Sequence, residues 1–197
     1  MSRLAHQTLL GRKLQTRRLI LPQPSSPSEA KDLPIPARYG SLGSLVTIKE
    51  KWRVFRVERC DPQFKPGKLL VGYGDQDQVW KTAPDEAILK YAHDGRWKSG
   101  RFMPKWASRC QVELTKNVEI QRLHDITEQD LREEGVPAIW GDWDGLGPDG
   151  VDPATWDKLT WLEQWKTIWE PLHGAEGYGW DANPWVYRIS FKLTKGT

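Results

Sequence analysis

Gly11-Arg-Lys-Leu-Gln-Thr-Arg-Arg18 is the stretch on which the reading of this chain turns. Arg12, Lys13, Arg17 and Arg18, with Arg3 before them, all precede the first acid, Glu29. Such a run is either a solvated basic terminus or a surface for an anionic partner. Upstream, Leu4–Leu10 suits a short helix. Gly11 can end it, because glycine tolerates the left-handed backbone. Arg12–Thr16 then reads as a loop and Arg17–Leu21 as a short strand. Downstream, residues 22–37 hold Pro22, Pro24, Pro27, Pro34 and Pro36 with three serines, which predicts an extended linker or surface loop.

Further along, Leu45–Trp52 begins apolar and then alternates, the pattern of a strand, and Phe55–Glu58 extends it past a bend. Leu69–Tyr73 is a second strand in a Gly-, Pro- and Asp-rich region. Ala87–Ala92 suits a strand or a helical turn, and the Asp94-Gly95 turn signal that follows favours a strand. Cys110–Ile120 has the pattern of one long strand. Thr127 opens a short helix over 128–134, with Asp130 at capping-box spacing and Gly135 closing it. Thr155–Leu172 places Trp156, Leu159, Leu162, Trp165, Ile168, Trp169 and Leu172 at helical spacing. Pro184–Leu193 is a final strand. Short helices and several strands without βαβ alternation predict an α+β fold with a mostly antiparallel sheet or small barrel.

The chain has 197 residues, 38% apolar and 28% charged, with a net charge of +3. That length suits a single domain over 1–197. No apolar run approaches the ~18 residues of a membrane helix, and His6, Gln7 and Thr8 interrupt any signal-peptide core. Cys60 and Cys110 are too few for a disulfide framework or a four-cysteine zinc site, so a reducing, cytoplasmic setting is expected. The twelve tryptophans serve either as core or as stacking surfaces for flat ligands.

Several patterns that suggest metals or cofactors fall short. Glu170 and His173 lack the second pair that a carboxylate-bridged site needs. Asp142-Trp-Asp144-Gly begins like a calcium loop, but Pro153 stands where the bidentate glutamate belongs. His6, His93, His124 and His173 lack zinc spacing. There is no nucleophile elbow, Walker loop or dinucleotide fingerprint. No metal and no cofactor are therefore expected.

Three segments combine cations or amides with flat apolar groups: Gly11–Arg18, Met103-Pro-Lys-Trp-Ala-Ser-Arg109, and Asn183-Pro-Trp-Val-Tyr187. Gly11–Arg18 resembles the G-R-K-x-x-T-R-R signature of ASCH-domain proteins of the PUA-like superfamily. Gly43–Trp52, Met103–Arg109, Leu123–Asp130 with Glu134-Gly135, and Trp180–Val186 follow in the order of a subgroup carried by bacteriophages and prophages. Ser44, Thr47 and Leu14 depart from that pattern. The resemblance leaves loop insertions at about 22–42, 60–100 and 137–154.

The resemblance implies a small twisted β-barrel flanked by short helices, with a cleft that takes RNA, a modified DNA base or a nucleoside. One small ASCH enzyme hydrolyses the amide of N4-acetylcytidine with a lysine, a threonine and a glutamate. Those residues map onto Lys13, Thr16 and Glu134. Lys13 would be base or nucleophile, Thr16 an oxyanion donor, and Glu134 the group that activates water or shuttles the proton to the leaving amine. Arg12, Arg17, Arg18, Trp52, Lys105, Trp106, Arg109, Asn183 and Trp185 are the expected ligand-binding residues. Three readings of Lys13 and Glu134 stay open: an ion pair tying the loop to the helix, catalysis, or binding without turnover. A phage morphogenesis or protein-interaction role is the alternative of a different class.

Overall fold

The computed structural model describes residues 7–58, 68–74, 78–91, 94–136 and 151–196. Leu4–His6, Cys60, His93 and Asp142–Asp144 lie outside the described residues. Chain contacts divide the protein into two compact units. The first is built on Thr47–Val112 and the second on Gln7–Val46 with Glu113–Leu193.

The first unit carries a three-stranded antiparallel sheet of β3 (Trp52–Glu58), β4 (Lys68–Tyr73) and β5 (Gln78–Thr82), in that order. Leu69, Val71 and Tyr73 alternate inward along β4, and Trp52 and Val54 do so along β3, as period-2 patterning requires. They meet Ala87 and Ile88 of a helix, α2 (Asp85–Tyr91), together with Met103 and Ala107. Of the strand and the helical turn that the sequence offers at 87–92, the turn signal favours strand, but helix is found. Ala87 and Ile88 are both buried while Leu89 is 83% exposed, an arrangement that strand alternation cannot produce. The amides of Ala87 and Ile88 both bond the Pro84 carbonyl, so the turn starts before the apolar run. β5 escaped the sequence reading altogether. As an edge strand, with exposed positions alternating with half-buried ones, it has little apolar signal.

The second unit carries the strands Gln15–Leu19 and Glu119–Arg122, most of the strand Trp185–Gly196 and most of the helices. β1 (Gln15–Leu19) pairs antiparallel with β8 (Trp185–Gly196), and β7 (Glu119–Arg122) pairs antiparallel with β8 over Trp185–Arg188. The sheet order is β1-β8-β6-β2, where β2 is Leu45–Thr47 and β6 is Cys110–Leu114. The fold is thus mixed α+β with antiparallel pairing. Among the described residues the strand pairings do not close into a barrel.

Three long elements are divided. Leu45–Trp52 splits into β2 and the start of β3, and Cys110–Ile120 splits into β6 and β7. Thr155–Leu172 becomes α4 (Pro153–Trp156) and α5 (Trp161–His173), because Thr160 caps α5 in a box with Glu163. Pro171 lies inside α5, near its C-terminal end. The expected loop at 22–37 contains one short helix, α1 (Pro27–Asp32), capped by Ser26. α3 (Glu128–Glu133) has the expected Thr127/Asp130 capping box. Its Leu131 joins Leu123, Val136, Trp156, Trp165, Trp169 and Val186 in the core of this unit. Burial of each large side chain there contributes about 1.5–3 kcal/mol.

Candidate functional site

Two constellations emerge from the expected residues, one in each unit. In the second unit, Lys13, Gln15 and Arg17 share one face of the first strand and its approach, because side chains alternate along extended chain. All three are buried against α3. Lys13 Nζ donates to Glu134 Oε2 at 2.6 Å and to the Glu134 carbonyl at 2.8 Å. Arg17 Nη1 donates to Glu134 Oε1 at 3.0 Å, and its Nη2 lies 3.2 Å from Asp130 Oδ2. Gln15 Nε2 donates to Asp130 Oδ1 and to Glu133 Oε2. Arg188 completes the set, donating from Nη2 to Asp130 Oδ1 at 2.6 Å and from Nε to Gln15 Oε1 at 2.8 Å.

Local backbone explains why Lys13 reaches the end of α3. The Leu14 amide donates to the Glu133 carbonyl at 2.6 Å. Gly135 follows with φ +78°, and a Cβ there would sit 2.8 Å from Lys13 Cβ. Only glycine lets the two segments approach this closely. Burial pushes the Lys13 ammonium below its ordinary value, and Glu134 opposes that shift. Asp130 is held below the ordinary carboxylate value: burial raises it, but hydrogen bonds from Gln15 and Thr127 and the charge of Arg17 outweigh that.

Thr16 stands on the alternate face of β1 from Lys13 and Arg17, paired with Ile189, so the strand does not bring it to Glu134. Arg12 and Arg18 are exposed. Asn183 takes the left-handed backbone at φ 44°. Its side-chain oxygen accepts from the His124 amide at 2.8 Å, and its carbonyl accepts from Arg122 at 2.9 Å. Trp185 is buried beneath the Arg122 guanidinium, 4.3 Å from its ring centre. It lines a largely apolar cavity of about 380 Å³ with Ala30, Lys31, Leu33, Ile35 and Ile120.

The first unit holds the other constellation, an open cavity of about 490 Å³. Lys105, Trp106 and Arg109 line it, as do Trp80, Lys81, Thr82, Ser108 and Gln111. Trp106 is half-buried and set edge-on against Trp52, with ring centres 6.0 Å apart. Trp52 is itself fully buried, so it supports the wall without lining the cavity. Arg109 is braced from behind. Its Nε and Nη2 each donate at 2.9 Å to the buried carboxylate of Glu50, and its guanidinium lies 4.3 Å from the Tyr73 ring centre. Cys110 also lines the cavity, and burial pushes its thiol up to about 12, so it is no thiolate nucleophile at neutral pH.

Trp80 and Lys81 were missed as site residues because the strand that carries them was missed. Glu50 was missed because a lone glutamate gives no sign that it will be buried against an arginine 59 positions away. Among the described residues no group of three histidines, cysteines or acids gathers as a metal site. Nor, among them, is any helix long and apolar enough to cross a membrane.

No family model matches this chain, and no curated protein matches it. A solved structure does align with it: protein EF3133 from Enterococcus faecalis V583, assigned to family DUF984. The identity is 10%, and the alignment covers 99% of this chain and 72% of that one at a TM-score of 0.42.

Proposed function

We propose that this protein recognises a nucleobase, as a nucleoside or within a nucleic acid, in the 490 Å³ cavity of its first unit. One observation carries the reading. Two tryptophans, Trp80 and Trp106, and two lysines, Lys81 and Lys105, line the same cavity. Flat rings supply stacking surface, and the cations suit a phosphate or a base carbonyl. Ser108, Thr82 and Gln111 add polar groups of the kind that fix orientation in such cavities. The resemblance to ASCH-domain proteins of the PUA-like superfamily, with their barrel and phage-borne subgroup, belongs to the same proposal. The test is calorimetric titration with cytidine, N4-acetylcytidine and CMP, beside Trp106→Ala. Binding by the native protein that the variant loses supports the reading. Heat from none of the three overturns it for this ligand class.

A second reading, hydrolysis of an N-acylated cytidine by Lys13, Thr16 and Glu134, has one observation in its favour. Burial favours the neutral amine of Lys13, and a carboxylate stands 2.6 Å from it. The same burial ties both groups into an ion pair with Arg17, which is the arrangement of a structural brace. Chromatography of N4-acetylcytidine incubations decides between them. Cytidine release that Lys13→Ala abolishes supports hydrolysis, and no release leaves the brace.

A further inference from the structure

The outer face of the three-stranded sheet presents a row of side chains of which only Trp80 has a role above. Register places Arg56 opposite Leu70 and Leu70 opposite Trp80, so these three side chains share one face and cross the sheet in line. At ~4.8 Å between strands the row spans about 10 Å. Trp80 is 42% exposed at one end and also lines the cavity. At the other end the β-bulge between Val54 and Arg56 throws Phe55 outward. The Phe55 ring occupies the space that a Cβ on Gly72 would need. Arg53 lies 3.8 Å from the Phe55 ring centre and 4.6 Å from that of Trp97, and Lys51 stands 5.3 Å from Trp97. Phe55 and Trp97 remain 41% and 39% exposed.

The segment that carries this face has an excess of positive charge. Between 47 and 112 the sequence has fourteen lysines and arginines against eight acids, although the whole chain is only +3. Asp94, one of the acids on this unit, already pairs with Arg96 and Lys98. A cationic face carrying exposed aromatic rings is complementary to a polyanion with free π-faces, which is a single-stranded nucleic acid. A duplex keeps its bases stacked on one another and cannot use such rings.

We infer that the cavity's ligand is one base of a single-stranded nucleic acid. The strand would run from Trp80 past Arg56 to the Arg53–Phe55–Trp97 cluster. The inference rests on the cavity reading for that base alone, while the track itself stands on the sheet register and the charge.

The test is fluorescence anisotropy with a labelled pyrimidine-rich dodecanucleotide, single-stranded or annealed to its complement. Calorimetry with CMP reads the cavity separately. The native protein is expected to bind the single strand, more weakly as salt rises and more tightly than the duplex. Arg56→Glu lies on an exposed position and should weaken the strand at least tenfold while leaving CMP unchanged. Trp97→Ala should act in the same direction. Strand binding unchanged in Arg56→Glu overturns the track, as does a duplex bound as tightly as the single strand. CMP bound without any affinity for the strand overturns the track and spares the cavity reading. Strand binding that is lost in Arg56→Glu but untouched in Trp106→Ala, with no CMP bound, supports the track and removes the cavity reading.

Discussion

The buried network at Lys13 and the open cavity at Trp106 use similar residue types and differ in what satisfies them. In the network, Lys13 and Arg17 are 4% and 3% exposed, and their charges are met by Glu134 and Asp130 of the same unit. In the cavity, Lys105 is exposed and Trp106 is half-buried, while Arg109 is paired with the buried carboxylate of Glu50. Motifs of equal appeal in sequence thus divide between a closed ion-pair network and an open cavity. Burial and pairing separate the two, because a desolvated ion pair is costly to open and an exposed cation is not.

That contrast can be broken by substitution. The largest effect should come from Glu134→Ala, which strands Lys13 and Arg17 without their shared carboxylate. Loss of one partner of a buried pair costs about 3–5 kcal/mol. Urea denaturation should show this loss, and an unchanged midpoint would remove the brace. Gly135→Ala should come next, at about 1 kcal/mol or more, since it combines a positive φ with a Cβ pressed on Lys13. Trp106→Ala should weaken cytidine or CMP binding about tenfold, equivalent to about 1.4 kcal/mol, whereas Lys13→Met should leave that affinity unchanged. Equal losses in both would join the two constellations functionally and break the comparison.

The smallest effect concerns pH. Asp130 is held below its ordinary value in the folded protein, so its contribution is fully present above the unfolded value near 3.8. It is lost as pH falls through the folded value. Urea midpoints should therefore drop as pH is lowered below about 4, the usual carboxylate range. Asp130→Asn should flatten that acid limb, and cavity binding measured at pH 6 should not change in the variant.

Much of the α+β organisation was legible locally. The Thr127/Asp130 capping box, the left-handed Gly11 and the 69–73 strand are short-range consequences of residue type, and the structure has each of them. The divided elements were illegible for a physical reason. Periodicity continues across Thr160, and only the choice of a new cap interrupts the helix there. Likewise, nothing local separates strand from helix at Ala87–Tyr91 until the core accepts Ala87 and Ile88 together.

By itself the sequence determined the cations of Gly11–Arg18 and the single aromatic, Trp106, set among the cations of Met103–Arg109. Its local pattern reads Arg12–Thr16 as a loop, whereas the strand already runs from Gln15 and puts Lys13, Gln15 and Arg17 on one face. Only the tertiary structure decided that Glu134 and Asp130 close over that face, that Glu50 braces Arg109, and that an edge strand delivers Trp80 to the same cavity as Trp106. The reason is range. Alternation and capping act over a few residues, whereas the partner of a buried charge is set by packing between segments 121 positions apart, as for Lys13 and Glu134.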